Sequence, residues 1–248
     1  MRRIDCILFD LGETLLHFGT VEIPRLFEAG AQLAYQYLKD LGFKLPEFRR
    51  YHRKKLFAIR WSYLLSRVTR REIDTLGVLD KLHRDISVQL TDEQAMKLAS
   101  LWYEPLSKEA KIEPTAIETL EHFKARGIRL GLVSNTFIPA EVLDRHLERE
   151  NLLPLLPVRV YSCQSGLRKP NQAIFRAALA KIQMEPDRTA FVGDSLKADV
   201  HGANKMGMVS VLIDPASRSR VGFYKPDYTI RRLEELKAIV DRHNSSAN

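Results

Sequence analysis

The sequence predicts an α/β fold, a parallel sheet with helices on both faces, into which an all-helical segment is inserted. Apolar runs typical of buried strands alternate with amphipathic helical patterns over most of the chain. The runs cover residues 6–9, 128–133, 158–162, 190–192 and 209–213, and the helical patterns cover residues 115–126, 140–150, 171–184 and 198–206. This alternation indicates a Rossmann-like core with parallel strands.

The stretch between the first two apolar runs has a different composition. Between Gly42 and Gly127 the only glycine is Gly77, and Leu, Ala, Lys, Arg and Glu, which favour helices, are abundant. Helical periodicity covers residues 24–40, 46–66, 72–90 and 92–106, and Thr91 is expected to cap the last of these helices. We therefore predict a sheet domain formed by residues 1–16 and 111–248, and a helical domain formed by residues 17–110.

The chain is basic, with a formal net charge of +8 over 248 residues and its densest basic region between Arg49 and Arg71. A basic surface can attract nucleic acid, but the aromatic residues of this region have the spacing of an amphipathic helix whose charges face water. We therefore expect a surface that favours small anionic molecules, and no nucleic-acid partner. The sequence leaves the oligomeric state open.

No apolar stretch approaches the roughly 20 residues of a membrane span, so no membrane partner is expected. Asp5 and Asp10 interrupt the apolar run near the N-terminus, which is unlike a signal peptide, and we expect a cytoplasmic protein. Cys6 and Cys163 are too few for a disulfide framework and lie in apolar segments, which indicates two reduced thiols in the core.

Small polar or acidic residues follow three of the predicted strands. Asp10, Ser134 and Asp194 stand at the carboxyl ends, where parallel α/β sheets bind their ligands. Carboxylates gathered at one edge repel each other unless a cation joins them, and oxygen ligands favour Mg²⁺. Lys169, which follows a glycine-containing turn, would keep a nucleophilic carboxylate ionised and offset the charge of an anionic substrate.

Four segments resemble, in order and spacing, the four motifs of the haloacid dehalogenase-like superfamily. They are residues 9–15 (FDLGETL), 132–135 (LVSN), 166–170 (GLRKP) and 193–199 (GDSLKAD). The resemblance covers nearly the whole chain and implies a metal-dependent hydrolase, in most cases a phosphatase that uses Mg²⁺ and acts on a small phosphorylated metabolite. It also implies that the helical insert is a cap, which closes over the site and selects the substrate.

The resemblance further implies a role for each matching residue. Asp10 would attack the substrate and form a covalent aspartyl intermediate, which water then hydrolyses. Ser134 would hydrogen-bond the phosphoryl group together with the backbone N–H of Asn135, and Lys169 would neutralise the charge on Asp10 and on the phosphate. Thr14 would brace the loop after the first strand and so belong to the substrate site.

The first motif departs from that of the family's phosphatases, although the implied metal site is complete. The ligands of Mg²⁺ would be Asp10, Asp194 and the backbone carbonyl of Gly12, and Asp199 would support them. The phosphatases carry a second aspartate in the place of Gly12, which protonates the leaving group, and a glycine in the place of Glu13. Loss of such acid–base catalysis typically costs about 10² to 10⁴ in rate.

Four explanations fit the missing acid. In the first, Glu13 acts as a substitute acid, and in the second, the substrate is one with a good leaving group, such as an acyl or aryl phosphate. In the third, the reaction is not phosphate-ester hydrolysis. In the fourth, the protein is a weak enzyme that is retained for binding or regulation. The dehalogenase branch has a tyrosine at this position and lacks the last motif found here. The phosphonatase branch has a small residue there and uses a cap lysine, for which Lys39, Lys44, Lys54 and Lys55 are candidates.

Overall fold

The structure, a computed structural model, describes residues 2–19, 22–53, 88–215 and 223–245. Six of its strands form one parallel sheet, and two short strands pair with each other antiparallel. The strands are β1 (Cys6–Phe9), β2 (Leu16–His17), β3 (Lys111–Ile112), β4 (Arg129–Ser134), β5 (Val158–Tyr161), β6 (Thr189–Gly193), β7 (Val209–Ile213) and β8 (Tyr228–Ile230). The order in the large sheet is β5-β4-β1-β6-β7-β8.

Helices connect most of these strands. They are α1 (Ile23–Asp40), α2 (Asp92–Glu109), α3 (Ala116–Ala125), α4 (Ala140–Arg149), α5 (Ser162–Ser165), α6 (Gln172–Ile182), α7 (His201–Met206) and α8 (Leu236–Ser245). A π-helical turn over Leu196–Val200 leads directly into α7. Single 3-10 turns cover Leu153–Leu155, Pro186–Arg188 and Leu233–Glu235.

The side chains of β1 alternate between the two faces of the sheet, and helices cover both faces. Ile7 and Phe9 pack into a cluster with side chains of α3, α4 and α8, whereas Cys6 and Leu8 pack into a second cluster with side chains of α6 and α7. All four side chains are completely buried. The predicted α/β fold class is therefore confirmed, and the five predicted strands are present with ends that differ by at most one residue.

Several elements lie outside the prediction from sequence. Strand β8 extends the large sheet beyond β7, and α8 buries Leu236 and Val240 in the core. Strands β2 and β3 consist of two residues each, and their pairing places His17 opposite Lys111. The prediction of an all-helical segment from residue 17 onward is therefore wrong at its first residue, because pairing across β2 and β3 holds His17 in an extended conformation.

Two of the helices predicted for the insert are present as α1 and α2. Thr91 caps α2 as predicted, since its hydroxyl accepts the Gln94 N–H at 3.2 Å. The helices pack so closely that a Cβ at Gly30 would lie 2.1 Å from the Trp102 carbonyl oxygen. Of the other two predicted helices, residues 48–53 are helical, residues 46–47 and 88–90 are not, and residues 54–66 and 72–87 lie outside the described residues.

The two ends of the predicted helical domain lie side by side, because β2 pairs with β3. Helix α2 also contacts the sheet domain directly: the Tyr103 hydroxyl lies 2.8 Å from His146 Nδ1, and the Arg149 guanidinium donates to the Ser107 carbonyl at 2.8 Å. The division into two domains remains a prediction. Within the described ranges, the structure has no helix of the length and apolar character needed to cross a membrane.

Candidate active site

The polar residues predicted at the strand ends lie on three neighbouring strands. Asp10 directly follows β1, Ser134 ends β4, and Asp194 directly follows β6. The register of the parallel pairing brings the three strand ends to the same edge of the sheet, since Phe9 lies opposite both Leu132 of β4 and Val192 of β6. Because β1 is flanked by β4 and β6, the three polar residues meet at the carboxyl edge of the sheet, around its centre.

Lys169 connects two carboxylates in this site. Its Nζ lies 2.7 Å from Asp10 Oδ1 and 2.8 Å from Asp199 Oδ1, and only 1% of the lysine side chain is exposed. Burial by itself lowers the pKa of this ammonium, but the attraction of Asp10 and Asp199 outweighs burial and raises the pKa above its ordinary value. The lysine is therefore a fixed positive charge beside Asp10.

The side chain of Asn135 holds the backbone of Lys169 in place. Its Oδ1 accepts the Lys169 N–H at 2.8 Å, and its Nδ2 donates to the Lys169 carbonyl at 3.2 Å. This pair of hydrogen bonds ties the loop that carries Lys169 to the residue after Ser134. The four motifs predict only the backbone N–H of Asn135 as part of the site, and no sequence pattern indicates this use of its side-chain amide.

Asp199 is held by the π-helical turn and by the end of β6. Its Oδ2 accepts the Ser195 N–H at 3.0 Å, and the Ser195 hydroxyl accepts the Ala198 N–H at 3.1 Å. The carboxylate lies against Gly193 so closely that a Cβ there would be 2.4 Å from Asp199 Cγ. Glycine is therefore required at the end of β6 for Asp199 to reach Lys169.

We expect Gly193→Ala to displace the Asp199 carboxylate and lower kcat/KM by about tenfold or more, because misplaced groups in a preorganised site lose much of their effect. The added Cβ would overlap the buried carboxyl group of Asp199, which cannot move aside as the end of a flexible exposed side chain could. Initial-rate measurements on the folded variant test this. The matched control is Gly131→Ala in β4, whose added Cβ would also collide, at 2.9 Å from Leu8 Cδ2, but with none of the site's carboxylates.

The site carries more negative than positive charge among the described side chains. Asp10, Asp194 and Asp199 each offer an oxygen atom, and these atoms lie within 4.8 Å of one another. Burial, and then the like charges of Asp10 and Asp199, raise the pKa of Asp194 to about 7. A divalent cation would relieve this repulsion, and an all-oxygen donor set is the type that Mg²⁺ prefers. The residues present thus fit the predicted metal.

The Glu13 carboxylate is bound within its own loop. Its Oε1 accepts the Phe18 N–H at 3.0 Å, and its Oε2 lies 3.5 Å from His17 Nδ1. About half of its side chain (51%) is exposed. Its backbone is left-handed, with φ of 54°, a conformation that favours glycine at this position. In this conformation Glu13 stabilises its own loop.

Gly12 and Thr14 lie on either side of Glu13. A Cβ at Gly12 would make an ordinary contact of 3.7 Å with Cε2 of the Phe18 ring. Thr14 is fully buried, and its hydroxyl has no hydrogen-bond partner among the described residues. Of the candidate cap lysines, Lys39 and Lys44 are exposed, and Lys54 and Lys55 lie outside the described ranges.

A cluster of carboxylates and one buried lysine, at the carboxyl edge of a parallel sheet, is the arrangement of a candidate catalytic site in an α/β fold. The chain belongs to the haloacid dehalogenase-like hydrolases, whose sequence model matches residues 4–207. The match covers the sheet domain up to α7 as well as the helical insert. The family predicted from the four motifs is therefore confirmed.

Similar proteins support this assignment. A ribulose-1,5-bisphosphate 5-phosphatase of Halopiger xanaduensis is 26% identical over 224 residues, which are 86% of this chain and 86% of that protein. A glyceraldehyde 3-phosphate phosphatase of Pyrococcus furiosus is 24% identical over 249 residues, 99% of this chain and 97% of that protein. The structure of a haloacid dehalogenase-family hydrolase of Bacillus subtilis, bound to magnesium, superposes with a TM-score of 0.62 at 20% identity, over 97% of this chain and 100% of that chain.

Proposed function

We propose that the protein is a Mg²⁺-dependent phosphatase that acts on a small phosphorylated metabolite through an aspartyl-phosphate intermediate on Asp10. The observation that carries the proposal is the position of the Asp10 carboxylate, 2.7 Å from the buried Lys169 ammonium and beside Asp194 and Asp199. The phosphatase activity of two relatives that align over most of the chain supports the same reaction.

The proposed reaction assigns Asp10 as the nucleophile. A carboxylate oxygen forms a bond to phosphorus, the bond from phosphorus to the leaving-group oxygen breaks, and that oxygen keeps the electron pair. Lys169 offsets the charge of Asp10 and stabilises the negative charge of the transferring group. Ser134 and the backbone N–H of Asn135 would orient the phosphoryl oxygens, with Thr14 supporting the loop. Water then hydrolyses the aspartyl phosphate and restores the carboxylate.

The metal would be held by Asp10, Asp194 and the Gly12 carbonyl, with Asp199 in support. When bound, Mg²⁺ would screen the charge between the nucleophile and the phosphate. Residues 17–110 would form the cap, and residues 1–16 and 111–248 the catalytic core. The pairing of β2 with β3 supports this division, because it brings both ends of the insert to one place on the core.

The test is phosphate release from a panel of small phosphorylated compounds by the intact chain. We expect turnover that requires added Mg²⁺, that EDTA abolishes, and that falls to background in Asp10→Asn. Binding of Mg²⁺, followed by calorimetry, should weaken in Asp194→Asn, which removes one negative ligand of similar shape. A wild-type protein that binds Mg²⁺ yet releases no phosphate from any compound would contradict the proposal.

A further inference from the structure

Three partly buried aromatic rings join the helical insert to a loop of the site. Phe27 of α1 stacks on Trp102 of α2, with ring centroids 5.0 Å apart and planes inclined by 16°. The ring of Phe137 lies 5.9 Å from that of Trp102 and 6.3 Å from that of Phe27. Each of the three residues keeps part of its surface exposed. We call these three residues the aromatic trio.

The aromatic trio is linked to the phosphoryl end of the site through the loop that follows β4. Phe137 follows Ser134 by three residues, so their Cα atoms are at most about 11 Å apart. The intervening loop is fixed, since the Thr136 N–H donates to the Ser162 hydroxyl at 2.8 Å. Phe137 is therefore carried by the same ordered loop as Ser134, the residue proposed to orient the phosphoryl group.

A further aromatic ring lies beside the loop that follows the nucleophile. Phe18 is partly buried, and its ring edge lies 3.7 Å from the place that a Cβ of Gly12 would take. Gly12 is two residues from Asp10, and it has no side chain that could donate a proton. The loop after the nucleophile thus places an aromatic ring beside Gly12, and Gly12 itself offers no proton donor.

We propose that the leaving group of the substrate is an aromatic alcohol, so that the substrate class is an aryl phosphate. This inference rests on the proposed phosphatase function. A phenol has a pKa of about 10, far below that of an aliphatic alcohol, and its oxygen leaves as an aryloxide without a general acid. The aryloxide keeps the electron pair of the broken P–O bond and takes a proton from solvent. Its ring gains contacts with Phe18 and the aromatic trio.

The alternative role of the aromatic trio is packing between the insert and the core. Trp102 packs against buried residues of the insert and of the core, as expected for a residue that joins the two. Packing alone predicts equal effects of a trio substitution on all substrates, whereas recognition of a leaving group predicts an effect that depends on the presence of a ring. The two roles are therefore separable by comparing substrates whose leaving groups are equally acidic.

The experiment compares phenyl phosphate with the phosphate of a fluorinated aliphatic alcohol of the same acidity as phenol. We expect wild-type kcat/KM to favour phenyl phosphate by roughly tenfold, and Phe137→Leu to reduce this preference roughly 2- to 10-fold, mainly through KM. The matched control is Phe48→Leu, which removes a partly buried ring in edge contact with Tyr35, and we expect it to leave the preference unchanged. Inhibition of the wild type by phenylphosphonate should likewise exceed that by methylphosphonate, and this comparison needs no variant.

Two outcomes would overturn the inference. Equal kcat/KM for the two substrates, with equal inhibition by the two phosphonates, would leave the phosphatase proposal intact and exclude recognition of a ring. An equal loss on both substrates in Phe137→Leu would assign the trio to packing. If neither substrate nor any other phosphate compound is hydrolysed with Mg²⁺ present, the proposed function itself fails and this inference fails with it.

Discussion

Replacing Lys169 with methionine is expected to lower kcat/KM by about 10² to 10³-fold, because the lysine is the positive charge nearest the proposed nucleophile. Its Nζ lies 2.7 Å from Asp10, and methionine keeps the length of the side chain without the charge. The loss should appear mainly in kcat, since the charge on the transferring group grows toward the transition state. Steady-state kinetics with saturating Mg²⁺ measures both constants.

The same substitution should also destabilise the fold, by about 3 kcal/mol at neutral pH, because Asp199 is left buried without its positive partner. Urea unfolding measures this, and added Mg²⁺ should raise the melting temperature of Lys169→Met more than that of the wild type. Lys181→Met is the matched control, because this lysine is exposed at the end of α6, and we expect its effect to stay within about 0.5 kcal/mol. Unchanged stability in Lys169→Met would contradict the ion-pair argument.

The sequence predicts the strands of the core well because parallel strands buried on both faces read as nearly continuous apolar runs. Residues of β1 and β7 are completely or almost completely buried, and both strands are predicted to the residue. Strand β8 has only three residues, of which Ile230 alone is buried, so it has no comparable pattern. The pair β2 and β3 is shorter still, and it is stabilised by contacts between segments that lie far apart in the chain.

The candidate site could be predicted in part, because polar residues that follow buried strands must gather at one edge of the sheet. That rule brings together Asp10, Ser134 and Asp194. It says nothing about side chains that act through the backbone of another loop, such as the Asn135 amide on Lys169. Nor does it reveal that Asp199 packs against the end of β6 at Gly193, since that close approach depends on the π-helical turn.

The residue types at positions 12 and 13 depart from the family's phosphatases, but the sequence does not tell where the Glu13 side chain points. Its direction follows from two local facts, the left-handed backbone at Glu13 and the hydrogen bond from the Phe18 N–H. Both hold the carboxylate beside His17. The proposed absence of a general acid next to Asp10 can therefore be tested at Gly12, with Glu13 left unchanged.

Gly12→Asp is expected to raise kcat for alkyl phosphates by about 10² to 10⁴-fold, because it supplies a general acid two residues from the nucleophile. Position 12 accepts a side chain, since its φ lies outside the left-handed region and its new Cβ would meet only Phe18, at 3.7 Å. For an aryl phosphate the gain should be several-fold at most, because an aryloxide leaves without protonation. Rates on the matched phenyl and fluoroalkyl phosphates, and on an ordinary alkyl phosphate, measure the difference.

The control for this gain is Gly12→Asn, which has nearly the same shape and cannot transfer the proton. If Asn and Asp raise the rate equally, the effect comes from the loop and not from acid catalysis. If Asp raises alkyl and aryl turnover by the same factor, leaving-group protonation does not limit the wild-type enzyme. A gain confined to poor leaving groups and to the aspartate variant would instead mean that this chain, as it stands, selects substrates by the acidity of the group they release.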